Sequence, residues 1–308
     1  MNILITGGLG HIGSYLIRNL PEDYNITIVD NLLTDRYCSL FNLKRSVNFL
    51  ELDIEDISKS DLNDIDCVIH LAAITSVEQS ISNVNEMESI NINKTKKFID
   101  VCRESNISKF IFPSSSSVYG VEAEIVSESS VFVNPQSPYA EAKYQIEKYI
   151  EDEFSTDNID YVILRFGTIF GFSEGMRFHT AINKFCLQTS LGIPLTIWEQ
   201  NYNQSRPYLG LNDAFRCVLH FIESNNDIWN DVYNVQSINI KLRDIVSMIQ
   251  KIYNKKIELN MVDTPLKNQF SYIVSDSKLK STGFDVEDLL ENKISDMKNV
   301  LKGIENAD

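Results

Sequence analysis

The sequence predicts an α/β fold, a doubly wound parallel sheet with a smaller C-terminal lobe. Three observations carry that expectation. Short apolar runs alternate with helical stretches through the first half of the chain. A glycine-rich turn separates the first run from the first helix. Polar residues recur where the apolar runs end, and ligands of such sheets bind beyond the carboxyl ends of the strands. A chain of 308 residues suits one large α/β domain or a main domain with a smaller lobe.

Asn2-Ile3-Leu4-Ile5 ends at Thr6-Gly7-Gly8-Leu9-Gly10-His11-Ile12-Gly13-Ser14, and the helical Tyr15 to Leu20 follows. Strand, glycine loop and helix in that order are the context of a dinucleotide fingerprint. Gly7 permits the tight turn, Gly10 lets the backbone approach a pyrophosphate, and Gly13 lets the helix pack on the strand. The pyrophosphate would sit on the helix N-terminus, where free amides and the dipole favour negative charge. A second strand, Ile26 to Val29, ends in Asp30, 23 residues after Gly7. An acidic side chain there accepts hydrogen bonds from the adenosine ribose and repels a 2′-phosphate, which favours NAD over NADP.

A third strand is expected at Val47 to Leu52, ending at Asp53-Ile54. Asp66 to Ala73 reads as a buried strand opening into a small-residue turn. Phe110-Ile111-Phe112 runs into Pro113 and four serines, Ser114 to Ser117, which alone would read as a polar surface turn. A helix is expected over Glu86 to Arg103. Another should start at Ser137, a good N-cap, with Pro138 in its first turn. Tyr139 and Lys143 then lie one turn apart on the same face. An ammonium beside a phenol favours the phenolate, which makes Tyr139 a candidate general acid/base. Taken alone, the pair is better read as a tyrosine on the buried face of an amphipathic helix with an exposed lysine.

Net charge is -15, so a nucleic-acid backbone or an anionic membrane surface would be repelled overall. The five cysteines are odd in number, scattered and without a Cys-x-x-Cys pair. They read as reduced cysteines of a cytoplasmic protein, and neither they nor the four histidines show metal-ligand spacing. No apolar run reaches membrane-span length, and strand-like sequence beginning at Asn2 leaves no room for a signal peptide.

Together these residues resemble the extended short-chain dehydrogenase/reductases, and within them the NAD-dependent sugar-nucleotide epimerases and dehydratases. The matching positions are Thr6-Gly7-x-x-Gly10-x-x-Gly13, Asp30-Asn31, Asp53-Ile54, His70 to Ala73, Asn91, Ser114 to Gly120 and Tyr139-x-x-x-Lys143. They continue through Leu164 to Gly171, Arg206-Pro207-Tyr208, Asp213, Val232 to Val235 and Asp276-Ser277-Lys278. The resemblance covers nearly the whole chain. It implies a Rossmann-like domain over 1–171 and a substrate lobe over 172–308, with a segment around 208–236 returning to the first domain.

It also implies roles. Ser115, Tyr139 and Lys143 would form the catalytic triad, with Lys143 also holding the nicotinamide ribose. Gly7, Gly10, His11, Ile12, Gly13, Asp30, Asn31, Asp53, Ile54, Leu71, Ala72 and Ala73 would line NAD. Thr75, Ser116, Ser117, Thr168, Arg177 and Arg206 would meet the nucleotide sugar, the two arginines at its diphosphate. Relatives that dehydrate the sugar carry an acidic pair after the catalytic hydroxyl, and decarboxylating relatives a Glu at the second position. Ser116 and Ser117 stand there instead. Thr168 replaces the Asn of many 4-epimerases, and Pro207 replaces the usual Asp.

The expected activity is oxidation at a ring hydroxyl, C4, of a nucleotide-linked hexose or heptose through a 4-keto sugar. Reduction on the other face would make the protein a 4-epimerase. Release would make it a net dehydrogenase, or a reductase in reverse. A non-catalytic NAD-sensing protein is the alternative from another class, although such proteins typically lose the Tyr or Lys retained here. By resemblance the protein is a homodimer pairing through Glu86 to Arg103 and Ser137 to Phe154.

Overall fold

The computed structural model describes residues 1–75, 82–120, 124–130, 133–155, 158–224, 226–263 and 271–304. Its first strands and helices are β1 (Asn2–Thr6), α1 (His11–Asn19), β2 (Asn25–Asp30), β3 (Asn48–Glu51) and β4 (Cys67–His70). Next come α2 (Val84–Glu88), a π-helical turn at Ser89–Lys94, and α3 (Thr95–Arg103). The helix expected over Glu86 to Arg103 is therefore interrupted, by a turn wide enough to swing Asn91 into the interior. Then follow β5 (Lys109–Ser115), β6 (Ile125–Val126), α4 (Pro138–Phe154), β7 (Asp160–Phe166) and β8 (Thr168–Phe170). The chain continues with α5 (Ala181–Leu191), β9 (Leu195–Trp198), β10 (Ser205–Gly210), α6 (Leu211–Glu223), β11 (Asp231–Val235) and β12 (Ile238–Lys241). It closes with α7 (Leu242–Tyr253), β13 (Leu259–Val262), β14 (Ile273–Val274), α8 (Ser277–Lys280) and α9 (Leu290–Val300).

Seven of these strands form one sheet in the order β11-β7-β5-β4-β1-β2-β3, and every pairing in it is parallel. Period-two alternation divides each strand between two cores. Ile3 and Ile5 join Leu16, Ile17, Val218 and Phe221, under α1 and α6. Leu4 joins Phe98, Ile99, Ile146 and Ile150, under α3 and α4. With both faces covered, β4 is buried at every position, which is why its sequence shows an unbroken apolar run. Winding reverses between β1 and β4, so a crevice opens where Gly7 and Leu71 leave the sheet.

A third core sits apart, built from Phe170, Phe185, Tyr208, Ile245, Ile294 and Met297. It joins α5, α7 and α9 to a small sheet of β8, β10 and β12 and to the β9–β13 pair. The strand after Phe112 runs longer than its apolar residues suggest. Ser114 and Ser115 pair with Arg165 and Phe166 in β7, so the serine run starts inside the sheet and turns only at Ser116.

Candidate active site

At the crevice the backbone is packed so closely that side chains are excluded. A Cβ on Gly7, whose φ is +63°, would lie 2.7 Å from Cα of Ala72. One on Gly13 would lie 2.5 Å from the Gly8 carbonyl oxygen. No side chain caps α1 at Gly10, so its first amides face the crevice as an anion site. This cradle fits a dinucleotide pyrophosphate. Ile12 stands in the first turn of α1, and His11 beside it bonds Gly171 O through Nε2 at 2.9 Å. Burial pushes the His11 pKa down to about 4, which leaves the imidazole neutral at physiological pH.

Asp30 closes the loop from the neighbouring strand. Its carboxylate accepts the N–H of Leu9 and of Leu32, each at 3.0 Å. Asn31 donates to Asp53 at 3.0 Å, and Lys94 donates to the same carboxylate at 2.9 Å. Ile54 is buried behind them. Leu71 N donates to Thr6 O at 3.0 Å and carries the chain on to Ala72, Ala73 and Thr75. Asn91 holds that turn, accepting from the N–H of Ile74 and donating to its carbonyl, both at 2.8 Å. The expected cofactor residues thus line one rim, at the ends of β1, β2, β3 and β4.

The expected triad is divided between the end of the next strand, β5, and the helix α4. Ser137 caps α4 by accepting the N–H of Ala140 at 3.2 Å, and Pro138 opens the helix as expected. That start places the Tyr139 phenol in hydrogen-bond contact with Ser115, at the end of β5. Ser117 donates to Ser115 Oγ at 2.9 Å through its hydroxyl and at 3.2 Å through its amide. Both expected substrate serines lie on this turn, where Ser116 O accepts from Tyr272 OH at 3.4 Å.

The expected action of Lys143 on Tyr139 is corrected by the structure. Lys143 Nζ donates to Pro113 O at 2.8 Å and lies 4.4 Å from the centre of the Phe112 ring. Burial lowers its pKa to about 8, against the opposing influence of Glu147. The Tyr139 phenol is pushed up to about 12 by burial, and its bond to Ser115 offsets only part of this. In the protein alone Tyr139 is therefore a protonated donor. Burial sets the phenol, and the influence opposing it comes from the Ser115 hydroxyl.

Behind Lys143 lies a buried network that sequence reasoning missed. Glu147, one turn further along α4, accepts Arg165 Nε at 3.1 Å and Nη2 at 2.6 Å, and Ser114 donates to it as well. The Arg165 guanidinium stacks 4.8 Å from the Tyr119 ring centre, and Tyr119 OH donates to Asn234 at 2.6 Å. An i,i+4 spacing from Lys143 was the available signal.

Substrate candidates divide into groups. Arg177 donates to Thr75 Oγ1 at 2.8 Å, so those two come together. Thr168 is exposed at the start of β8, level with Tyr208 of β10. Arg206 stacks 5.1 Å from the Tyr272 ring centre and donates to Ser205 O at 3.0 Å. Between β8 and α5, residues 171–177 are fastened to the start of α1. Gly175 N donates to Ser14 Oγ at 3.0 Å, Ser173 donates to His11 O at 2.8 Å, and Arg18 pairs with Glu174 at 3.1 Å.

A sequence model described as the NAD dependent epimerase/dehydratase family matches residues 3–235. The chain belongs to that family. An uncharacterised UDP-glucose epimerase of Bacillus subtilis is 31% identical over 280 residues, spanning 85% of both chains. The solved UDP-glucuronic acid 4-epimerase of Bacillus cereus, in complex with UDP-glucuronic acid and NAD, is 28% identical with a TM-score of 0.90. That similarity covers 98% of this chain and 99% of the other. The UDP-N-acetylglucosamine 4-epimerase of Methanobrevibacter ruminantium, in complex with UDP-N-acetylmuramic acid, is 28% identical with a TM-score of 0.87 over 97% of each chain. The protein is thus an NAD-dependent enzyme of the sugar-nucleotide epimerase family, with NAD as cofactor. Its glycine loop follows β1 and Ser115 ends β5, with β4 alone between those two strands in the parallel sheet.

Proposed function

We propose that the protein is a 4-epimerase of a UDP-linked sugar. The observation that carries this reading is the contact of Tyr139 with Ser115 at the carboxyl end of β5, with no acidic residue directly after Ser115 to expel a hydroxyl. When bound, NAD supplies a hydride acceptor whose positive charge favours a neighbouring phenolate. Tyr139 takes the proton of the sugar 4-hydroxyl and returns it after the ring has turned. Ser115 hydrogen-bonds the same oxygen, fixing it within reach of the phenol. Lys143, bonded to Pro113 O, would hold the cofactor ribose with its remaining donors.

UDP is favoured because solved relatives hold UDP-sugars, and a tyrosine-to-phenylalanine variant of the Bacillus cereus enzyme was solved with a 4-deoxy-4-fluoro analogue and NAD. The test is incubation of purified protein with UDP-glucose, UDP-glucuronic acid and UDP-N-acetylglucosamine, followed by NMR. One of them should convert to its C4 epimer without net NADH. Stoichiometric NADH would instead establish a dehydrogenase. We also read the protein as a cytoplasmic homodimer, supported by five unpaired cysteines and by the adjacent helices α3 and α4. A monomer by light scattering at micromolar concentration would exclude the dimer.

A further inference from the structure

Two guanidiniums stand beside the glycine loop, and among the described residues neither has a carboxylate within ion-pair distance. Arg36, from the segment after β2, donates Nη1 to Gly175 O at 2.6 Å. The same nitrogen is 3.7 Å from the point where a Cβ on Gly10 would be. Arg177, held through Thr75, is close enough to Arg36 that it lowers the Arg36 pKa further after burial has done so. Nε of each arginine is buried without a hydrogen-bond partner. His11 and His179 stand close by, and burial, with a smaller contribution from Arg36 and Arg177, holds both near pKa 4, so neither adds charge. Asp30 is the carboxylate that acts on Arg36, and the N–H groups of Leu9 and Leu32 already engage it.

Two half-buried like charges near one another are unfavourable unless an anion lies between them. In a chain of net charge -15 the arrangement selects for a strongly anionic ligand. Planar forks of donors match phosphate oxygens, and the free amides of α1 open onto the same space. We propose that Arg36 and Arg177 form a two-armed diphosphate clamp on the glycine loop. A diphosphate occurs both in the dinucleotide and in the nucleotide sugar. The position of Arg36 against Gly10 assigns the clamp to the dinucleotide, moving Arg177 from the substrate side to the cofactor side. The proposal rests on NAD as cofactor and not on which sugar is turned over.

The test is calorimetric titration of the full-length, cofactor-stripped protein with ADP, adenosine and UDP, in wild type, Arg36→Gln, Arg177→Gln and Arg36→Lys. Each Gln variant should weaken ADP by about tenfold or more while leaving adenosine unchanged. Arg36→Lys should recover part of the loss by keeping the charge. Unliganded Arg36→Gln should melt no lower than wild type, because like-charge repulsion is removed. Unchanged ADP affinity would overturn the clamp. Loss confined to UDP would overturn its assignment to the cofactor. Equal loss of adenosine and ADP would show that Arg36 only braces Gly175, which also overturns it.

Discussion

Lys143→Met keeps the length and apolar stem of the side chain and removes the ammonium. The residue is only 7% exposed, and burial brings its pKa from 10.5 to about 8. A lysine harder to protonate in the folded chain than in the unfolded one lowers stability wherever the unfolded form is charged. The cost is full below pH 8 and fades as pH rises toward 10.5. At 1.36 kcal/mol per pKa unit it amounts to about 3 kcal/mol at neutral pH. Leaving the Pro113 carbonyl without its donor returns about 1–3 kcal/mol of that. The variant should therefore be at least as stable as wild type at pH 7. Wild type should gain on it by about 2 kcal/mol between pH 7 and 9.5 as its own lysine neutralises. Urea unfolding of cofactor-stripped protein, followed by circular dichroism at both pH values, measures this. A variant destabilised by about 2 kcal/mol at pH 7, with a pH-independent difference, would refute the reasoning. Such a result would mean that the ammonium is well solvated or fully compensated in the fold.

Tyr139→Phe should lower turnover by about 10²–10⁴ and leave NAD affinity intact, since the loop and Asp30 hold the cofactor independently. Near-normal turnover on the true substrate would place the chemistry elsewhere. Wild type should bind NAD more tightly than NADP, and Asp30→Ala should narrow the preference by about tenfold. Tighter NADP binding by wild type would remove that role. Glu147→Gln leaves the buried Arg165 without its charge partner and should cost about 3–5 kcal/mol in urea unfolding. Glu147→Leu combined with Arg165→Met should recover most of the loss, and failure to recover would show that the pair does more than satisfy itself.

The sheet, the glycine loop and the start of α4 were legible because each depends on local chemistry. Gly7 is the residue that tolerates φ of +63° against Ala72, and Ser137-Pro138 are cap and first-turn residues in sequence as in space. The proximity of Tyr139 to Ser115 followed from both standing at carboxyl ends. The direction of their pKa shifts did not, because spacing says nothing about desolvation, and here burial dominates both Tyr139 and Lys143. Taken alone the serine run would read as a surface turn, because its partners, Arg165 and Phe166, lie in a strand some fifty positions on. Arg36 carried no signal at all, since its meaning depends on Gly10 and Arg177, which only the fold brings to it.

The fastening of residues 171–177 to α1 has a consequence for how mutations in this chain are classified. A Cβ on Gly175 would lie 2.2 Å from Leu9 O and 2.5 Å from Gly10 O, inside the dinucleotide loop itself. The fingerprint therefore has a distant member that a linear pattern search does not report, contributed by the segment connecting β8 to α5. A methyl group there must push the loop, the segment or both, so Gly175→Ala should phenocopy a loop mutation and weaken NAD. Gly192→Ala is the matched control: φ is +70° there, and nothing lies within 4 Å of the added carbon. It should cost some local stability and leave NAD affinity where it was. Equal NAD affinity in the two variants would show that the loop yields to the methyl group at no cost to binding.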